Sequence, residues 1–179
     1  MFGLAGEMLS GKSSAAKFLV QHFPVKELRM SMILNKILDL LVLPASRQNQ
    51  QTLARILREQ FGDYILAHAV GEYAKEQKDH VFLIDGIRKL DELKELQQRA
   101  NFKLIYVKAP MQLRYQRLKQ RQEKVGEELK TFEEFENAHG AESEIDIQKL
   151  LEYADFVIEN SGDDQKFQAD LTRVFTLSI

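Results

Sequence analysis

The octapeptide Gly6-Glu7-Met8-Leu9-Ser10-Gly11-Lys12-Ser13 constrains this chain more than any other segment. It meets every fixed position of the pattern G-x-x-x-x-G-K-[ST]. Before it runs a short apolar stretch, Phe2 to Ala5; after it Ala15, Phe18, Leu19 and His22 recur at helical spacing between Gly11 and His22. A strand, a glycine-flanked turn and a helix in that order make a cradle for an anion. The glycines let successive backbone N–H groups converge, and the helix N-terminus adds about half a positive charge. Gly6, Leu9, Ser10 and Gly11 are expected to shape the cradle. Lys12 would set a point charge against the outer phosphates of a polyphosphate, Ser13 would ligate Mg²⁺, and Ser14 would donate to the innermost phosphate.

Phosphate recognition must then be local. The 179 residues include 25 basic and 27 acidic side chains, a formal charge of -2, so no global field exists to hold a nucleic-acid backbone or an anionic membrane. With 44% apolar and 29% charged residues, the chain has the balance of a single globular domain. The absence of cysteine excludes disulfides, thiolate metal sites and a cysteine nucleophile, and suits a reducing cytoplasm. Met1 to Gly6 lacks a signal-peptide pattern, and the richest apolar run, Leu38 to Leu43, is broken by Asp39 and far too short to cross a bilayer. A cytoplasmic location is expected.

Along the rest of the chain short β-rich runs alternate with helical periods. Val25 to Met30 predicts a second strand, and Ser31 can cap a helix carrying Ile33, Leu34, Ile37, Leu38 and Leu41, stopped by Pro44. A polar connection, Ala45 to Gln50, leads to a helix with Leu53, Ile56, Leu57 and Phe61 on one face, and Gly62-Asp63 starts another, so Ser31 to Gln77 reads as a helical block. Val81-Phe82-Leu83-Ile84 has the continuous apolar character of a strand buried on both faces. A charged helix with Leu90, Leu93 and Leu96 inward, a strand at Leu104 to Val107, and a helix from Met111 to Lys124 follow. Thr131 with Glu134 has capping-box spacing. A helix over Ser143 to Tyr153, a strand at Phe156-Val157-Ile158 and a helix near Gln165 to Phe175 close the chain. Five strands separated by helices imply an α/β, doubly wound fold with a parallel sheet covered on both sides.

Other residues must distinguish among phosphate-binding proteins. Asp85-Gly86-Ile87-Arg88 follows the buried strand, at the sheet edge where open α/β proteins place ligands. There Asp85 can orient Mg²⁺ through its waters, Gly86 lets backbone pass close to a substrate, and Arg88 can grip a second phosphate with its planar fork; the alternative is an ordinary strand-ending turn. Arg114, Arg117 and Arg121 share one helix face. They form either a solvated stripe or the start of a hinged cover, continued by the charged segment Val125 to Ala141, that closes over a transferring phosphoryl group and excludes water. His22, His68, His80 and His139 show no zinc or triad spacing.

Taken together these segments resemble the small P-loop kinases of the nucleoside monophosphate kinase and dephospho-coenzyme A kinase kind, especially archaeal-type adenylate-kinase-like proteins. The resemblance rests on the phosphate loop, Ser31-Met32, Leu57-Arg58-Glu59-Gln60-Phe61-Gly62, Ile84-Asp85-Gly86-Ile87-Arg88, Arg117-Leu118-Lys119-Gln120-Arg121, Thr131-Phe132-Glu133-Glu134-Phe135, and Ala154-Asp155-Phe156-Val157-Ile158-Glu159-Asn160. It implies a three-layer P-loop fold with a core of residues 1–30, 78–121 and 142–179, an acceptor-binding helical insert over 31–77, and a lid over 122–141. It further implies ATP and Mg²⁺ as cofactors. Ser31, Lys36, Arg58, Asp85, Gly86 and Arg88 would contact the acceptor, and Arg117 and Arg121 would reach the ATP phosphates. Asn160 and Ser161 would hold the adenine, and Ser13 and Asp85 the metal. Lys12, Asp85, Arg88, Arg117 and Arg121 make up the expected catalytic set. The expected partner is a small phosphate acceptor, with no membrane and no nucleic acid, for a monomer or homodimer. Asn137 to Glu142 lacks the arginine that relatives carry in the lid-closing helix, and Glu7 must turn away from the phosphates or repel them. A nucleoside or deoxynucleoside monophosphate is the first acceptor expected, because an ionised phosphate oxygen needs no general base. Dephospho-CoA, whose acceptor is a hydroxyl, would need one, and Asp85 is the candidate. A non-catalytic ATP-binding sensor is the rival from another class.

Overall fold

The computed structural model describes residues 1–77, 80–125, 131–139 and 142–176. Five strands, β1 (Phe2–Ala5), β2 (Val25–Arg29), β3 (Val81–Asp85), β4 (Lys103–Lys108) and β5 (Phe156–Glu159), form one sheet in the order β2-β3-β1-β4-β5, with every pairing parallel. Between and around them run helices α1 (Lys12–His22), α2 (Met30–Leu40), α3 (Arg47–Phe61), α4 (Ile65–Glu76), α5 (Leu90–Gln97), α6 (Met111–Val125), α7 (Phe132–His139), α8 (Glu142–Lys149) and α9 (Asp164–Thr176).

Alternation of side chains along the strands divides the core in two. Phe82, Ile84, Leu104 and Tyr106 face a cluster built with Leu34, Leu66, Val70, Leu93 and Leu96. Phe2, Leu4, Leu83 and Ile105 face the opposite cluster, built with Ala15, Leu19, Leu171 and Phe175. The sheet is therefore sandwiched between two helical layers, the three-layer P-loop architecture expected. All four residues of β1 are buried, as its central place demands, and its carboxyl end delivers the glycine-rich turn to the middle of the sheet edge. Leu4 pairs with Asp85 across the β1–β3 ladder, which sets the two sequence motifs side by side.

Several local expectations are corrected. Ser31 does not cap α2: the chain turns straight from β2 into the helix, with Arg29 extended at the cap position and Ser31 inside the first turn. Pro44 does not stop α2 either. The helix ends at Leu40 because Val42, at φ 56°, enters the left-handed region while its N–H reaches Asp39 O and that of Leu43 reaches Leu38 O, a Schellman closure completed before the proline. The apolar run it leaves is exposed, Leu40 at 83% and Val42 at 91%. α3 begins at Arg47, earlier than expected, because Ser46 Oγ accepts from the Asn49 N–H. Its inward face is in part as expected: Leu53 and Leu57 pack partly buried against the core beside buried Ala54, while Ile56 and Phe61 lie exposed. The helix after residue 142 tightens into a 3₁₀ turn over Leu150–Tyr153 instead of running on as one α-helix. Thr131 and Glu134 do form the reciprocal cap, with Glu134 N–H on Thr131 Oγ1 at 3.1 Å and Thr131 N–H on Glu134 Oε2 at 2.7 Å. Of the expected lid over 122–141, residues 126–130, 140 and 141 lie outside the described residues.

Candidate functional site

The loop after β1 is shaped by two glycines at positive φ, and each is held by a close neighbour. At Gly6 (φ 144°) a Cβ would stand 2.2 Å from the Val107 carbonyl oxygen, and at Gly11 (φ 106°) 2.2 Å from Asn160 Nδ2. No side chain could occupy either place. Gly11 caps α1 without any side-chain hydrogen bond to the helix N–H groups, so those amides and the dipole behind them face outward. Lys12 Nζ donates to the carbonyls of Gly6 and Glu7, arching its ammonium over the turn. Ser13 and Ser14 are exposed on the first turn of α1. Ser10 is fully buried, and its Oγ has no hydrogen-bond partner among the described residues.

Three side chains from distant elements fix this turn. Asn160, from the end of β5, donates through Nδ2 to Ser10 O at 3.0 Å and accepts through Oδ1 from Arg117 Nη2 at 2.8 Å. Arg117 of α6 also donates through Nη1 to the carbonyls of Leu9 and Ser10 at 3.1 and 3.2 Å. Burial lowers its pKa, with Asp164 acting in the other direction. Arg114, one turn earlier, is 2% exposed and donates to Ala109 O, Met8 O and Glu7 Oε1 while its guanidinium rests near the Phe135 ring of α7. Glu7 thus turns into the protein toward a cation. Arg114 belongs to a buried support and not to a solvated stripe, whereas Arg121 is exposed on α6 and is not drawn into the loop. Ser161 is exposed beside Asn160.

On the other flank of β1, a cleft of about 890 Å³ opens beside Asp85. Arg29, Arg47, Arg55, Arg58, Arg88 and Lys89 line it against only Glu59, Asp63 and Asp85, with Ser31 and Gly86 also on its wall. Burial raises the Asp85 pKa, opposed by the nearby Lys12 charge. Arg29 is paired with Glu27, Arg55 with Glu59, Arg58 with Glu92 and Lys89 with Asp63. The side chains of Arg47 and Arg88 make no ion pair among the described residues. Of the expected acceptor contacts, Ser31, Arg58, Asp85, Gly86 and Arg88 meet here; Lys36 does not, because α2 turns it onto the Tyr73 ring, 4.1 Å from the centroid. The sequence reading singled out Arg58 but not Arg47 or Arg55, since it followed α3 by its apolar residues; Arg47, Gln51, Arg55 and Arg58 at helical spacing are the signal that would have found them.

The residues suit a nucleoside triphosphate and Mg²⁺. The helix start, which no side chain of the cap residue covers, and the Lys12 ammonium beside it suit a polyphosphate. The Ser13 hydroxyl and Asp85 carboxylate are hard oxygen donors of the kind Mg²⁺ takes alongside water and phosphate.

No family model matches the chain. It is similar over 97% of its length, at 26% identity, to a UPF0200/UPF0201 protein of Archaeoglobus fulgidus, of which it spans about half, 54%. At 29% identity over 93% of the chain it is similar to a UPF0200 protein of Aeropyrum pernix, covering 87% of that protein. Among solved structures its fold resembles a Thermus thermophilus protein (TM-score 0.62, 18% identity, 99% of this chain and 97% of that one). It also resembles dephospho-CoA kinase from Campylobacter jejuni (TM-score 0.56, 19% identity, 98% and 95%). The shikimate kinase of Bacteroides thetaiotaomicron is a further neighbour (TM-score 0.51, 14% identity, 98% and 96%). The architecture is thus shared with small-molecule kinases. No helix among the described residues is long and apolar enough to cross a membrane.

Proposed function

We propose that this protein is a phosphotransferase that moves the γ-phosphoryl group of ATP to a small acceptor already bearing a phosphate, a nucleoside or deoxynucleoside monophosphate. The observation that carries this reading is the arginine-lined cleft beside Asp85, next to a loop suited to a polyphosphate. An acceptor with one apolar or neutral end would not call for so many guanidinium groups, and Arg88 has its fork available for a phosphate. Bound ATP supplies the phosphoryl group and Mg²⁺ charge neutralisation at its oxygens. Around them Lys12 offers a positive charge at the loop, Arg88 and Arg58 orient the acceptor, and Arg117 with Asn160 holds the loop in shape. The chain's contribution is alignment and electrostatics, which suffice when the acceptor is an ionised phosphate oxygen. In this reading α2 to α4 form the acceptor insert and α7 belongs to the lid.

Asp85 supports a second reading. A carboxylate whose burial raises its proton affinity is suited to taking the proton of a hydroxyl acceptor, which favours a dephospho-CoA-like substrate. A coupled assay of ADP release with a panel of nucleoside and deoxynucleoside monophosphates and dephospho-CoA separates the two. Lys12→Ala should abolish turnover chiefly through kcat, and Arg88→Ala should raise acceptor KM by about tenfold or more while sparing that for ATP. ATP binding with no acceptor-dependent ADP release would instead identify a nucleotide sensor and overturn the catalytic reading.

A further inference from the structure

Glu92 lies at this cleft outside the expected site residues, and no part of the phosphotransfer scheme above uses it. It stands in the first turn of α5 with its carboxylate fully buried. A buried carboxylate persists only where donors satisfy both oxygens. Here the two oxygens look in different directions. Oε1 accepts from Arg58 Nη2 of α3 at 2.9 Å; Oε2 accepts from the backbone N–H groups of Arg88 and Lys89 at 2.9 and 3.2 Å. One rigid three-atom group therefore joins the two walls of the cleft. It ties the helix that presents Arg58 to the segment, directly after Asp85-Gly86, that presents Arg88.

Arg58 shows why the tie matters. It is 23% exposed, lines the cleft, and has a buried Nε with no hydrogen-bond partner among the described residues. The exposed part of the guanidinium faces the cleft, where it can meet an anion. Its Nη2 bond to Glu92 fixes the plane of the guanidinium, so the direction of the remaining donors is fixed with it. The same carboxylate holds the Arg88 amide and thereby the start of that side chain.

We propose that Glu92 is a positioning residue that sets the separation and orientation of Arg58 and Arg88, so that both converge on one phosphate of the acceptor. This rests on the phosphate-bearing acceptor proposed above. Glu92 touches neither substrate; it acts through the two arginines. A carboxylate at the third position of a helix that accepts from the cap N–H also has a purely local role in starting that helix, and the test must separate the two. Glu92→Gln does so: its amide oxygen still accepts from the Arg88 and Lys89 N–H groups, while its NH₂ faces the Arg58 guanidinium donor to donor.

Calorimetric binding of AMP, CMP, GMP, UMP, dTMP and dephospho-CoA, and separately of ATP, is measured for the wild type, Glu92→Gln, Arg58→Ala, Arg88→Ala and the Glu92→Gln/Arg58→Ala double variant. Glu92→Gln should weaken the tightest acceptor by about tenfold or more, the size of a lost charge-assisted hydrogen bond, and leave ATP affinity unchanged. The double variant should be no weaker than Arg58→Ala alone, because the effect travels through that arginine. Additive losses, or a lowered melting temperature with unchanged acceptor affinity, would reduce Glu92 to a helix cap and overturn the proposal while the phosphate-acceptor reading stood. If the wild type binds none of the panel, that reading falls and the proposal with it. Should Glu92→Gln not fold, Glu92→Asp keeps the charge but withdraws it by one methylene; unchanged acceptor affinity there would likewise refute the role.

Discussion

At the scale of single residues, Asp85 shows how burial sets both chemistry and stability. Desolvation raises its pKa above the ordinary 3.8, with Lys12 opposing. The folded protein therefore holds this proton to higher pH than the unfolded chain does, so stability from this group is greatest at low pH. It declines as pH climbs from the ordinary carboxylate value through the raised one. Asp85→Asn should remove that decline and raise the melting temperature at pH 7 relative to wild type, while phosphotransfer is lost. A melting series from pH 4 to pH 8 in which wild type and variant run parallel would refute the assignment. Motif chemistry alone pointed to Lys12, Ser13, Asp85 and Arg88, and the fold brings them to the loop and the adjoining cleft. The places of Lys36 and Glu92 were not legible in this way, because which way a helical side chain points depends on what packs against the helix. Lys36 was drawn onto Tyr73, and Glu92 onto an arginine that lies 34 residues away in sequence.

Elements are joined at the loop by Arg114, which ties the turn after β1 to α6 and, through Phe135, to α7. Tyr115 completes the contact with α7, meeting Phe132 and Phe135 at centroid distances of 5.3 and 5.8 Å. Arg114→Met keeps much of the volume but strips the guanidinium from the 3.3 Å pair with Glu7. It should cost about 3–5 kcal/mol, the usual penalty for breaking a buried pair. Adding Glu7→Gln should restore part of that loss. Urea unfolding of the two single variants and the double measures the coupling, and strictly additive losses would show that the pair acts as two separate contacts. Sequence periodicity located the helices well and their faces less well. In α3 Leu53, Ile56, Leu57 and Phe61 were expected inside; Leu53 and Leu57 do pack against the core, but Ile56 and Phe61 lie exposed, and Gln51, Ala54, Arg55 and Arg58 line the cleft. In α2 the stop signal was read at Pro44, whereas Val42 closes the helix through a backbone pattern that sequence associates with glycine.

For the molecule as a whole, the proposed polyphosphate site ties ligand binding to folding through the loop at the sheet's centre. ATP with Mg²⁺ at about one hundred times its dissociation constant should add about 2.7 kcal/mol, a rise in melting temperature of roughly 5–10 °C for a domain of this size. Lys12→Ala should lose most of that rise without a comparable change in the unliganded protein. No shift in the wild type would overturn the polyphosphate site. The sequence by itself determined the parallel α/β sheet and the glycine-flanked turn at its edge, because strand burial, helical period and glycine placement are local properties written within a few residues. Tertiary structure alone decided which arginines gather around the cleft and which merely brace the loop, and that one buried carboxylate joins two walls. Those outcomes depend on contacts between helices far apart in the chain, where a guanidinium pairs with whatever acid the packing brings within reach.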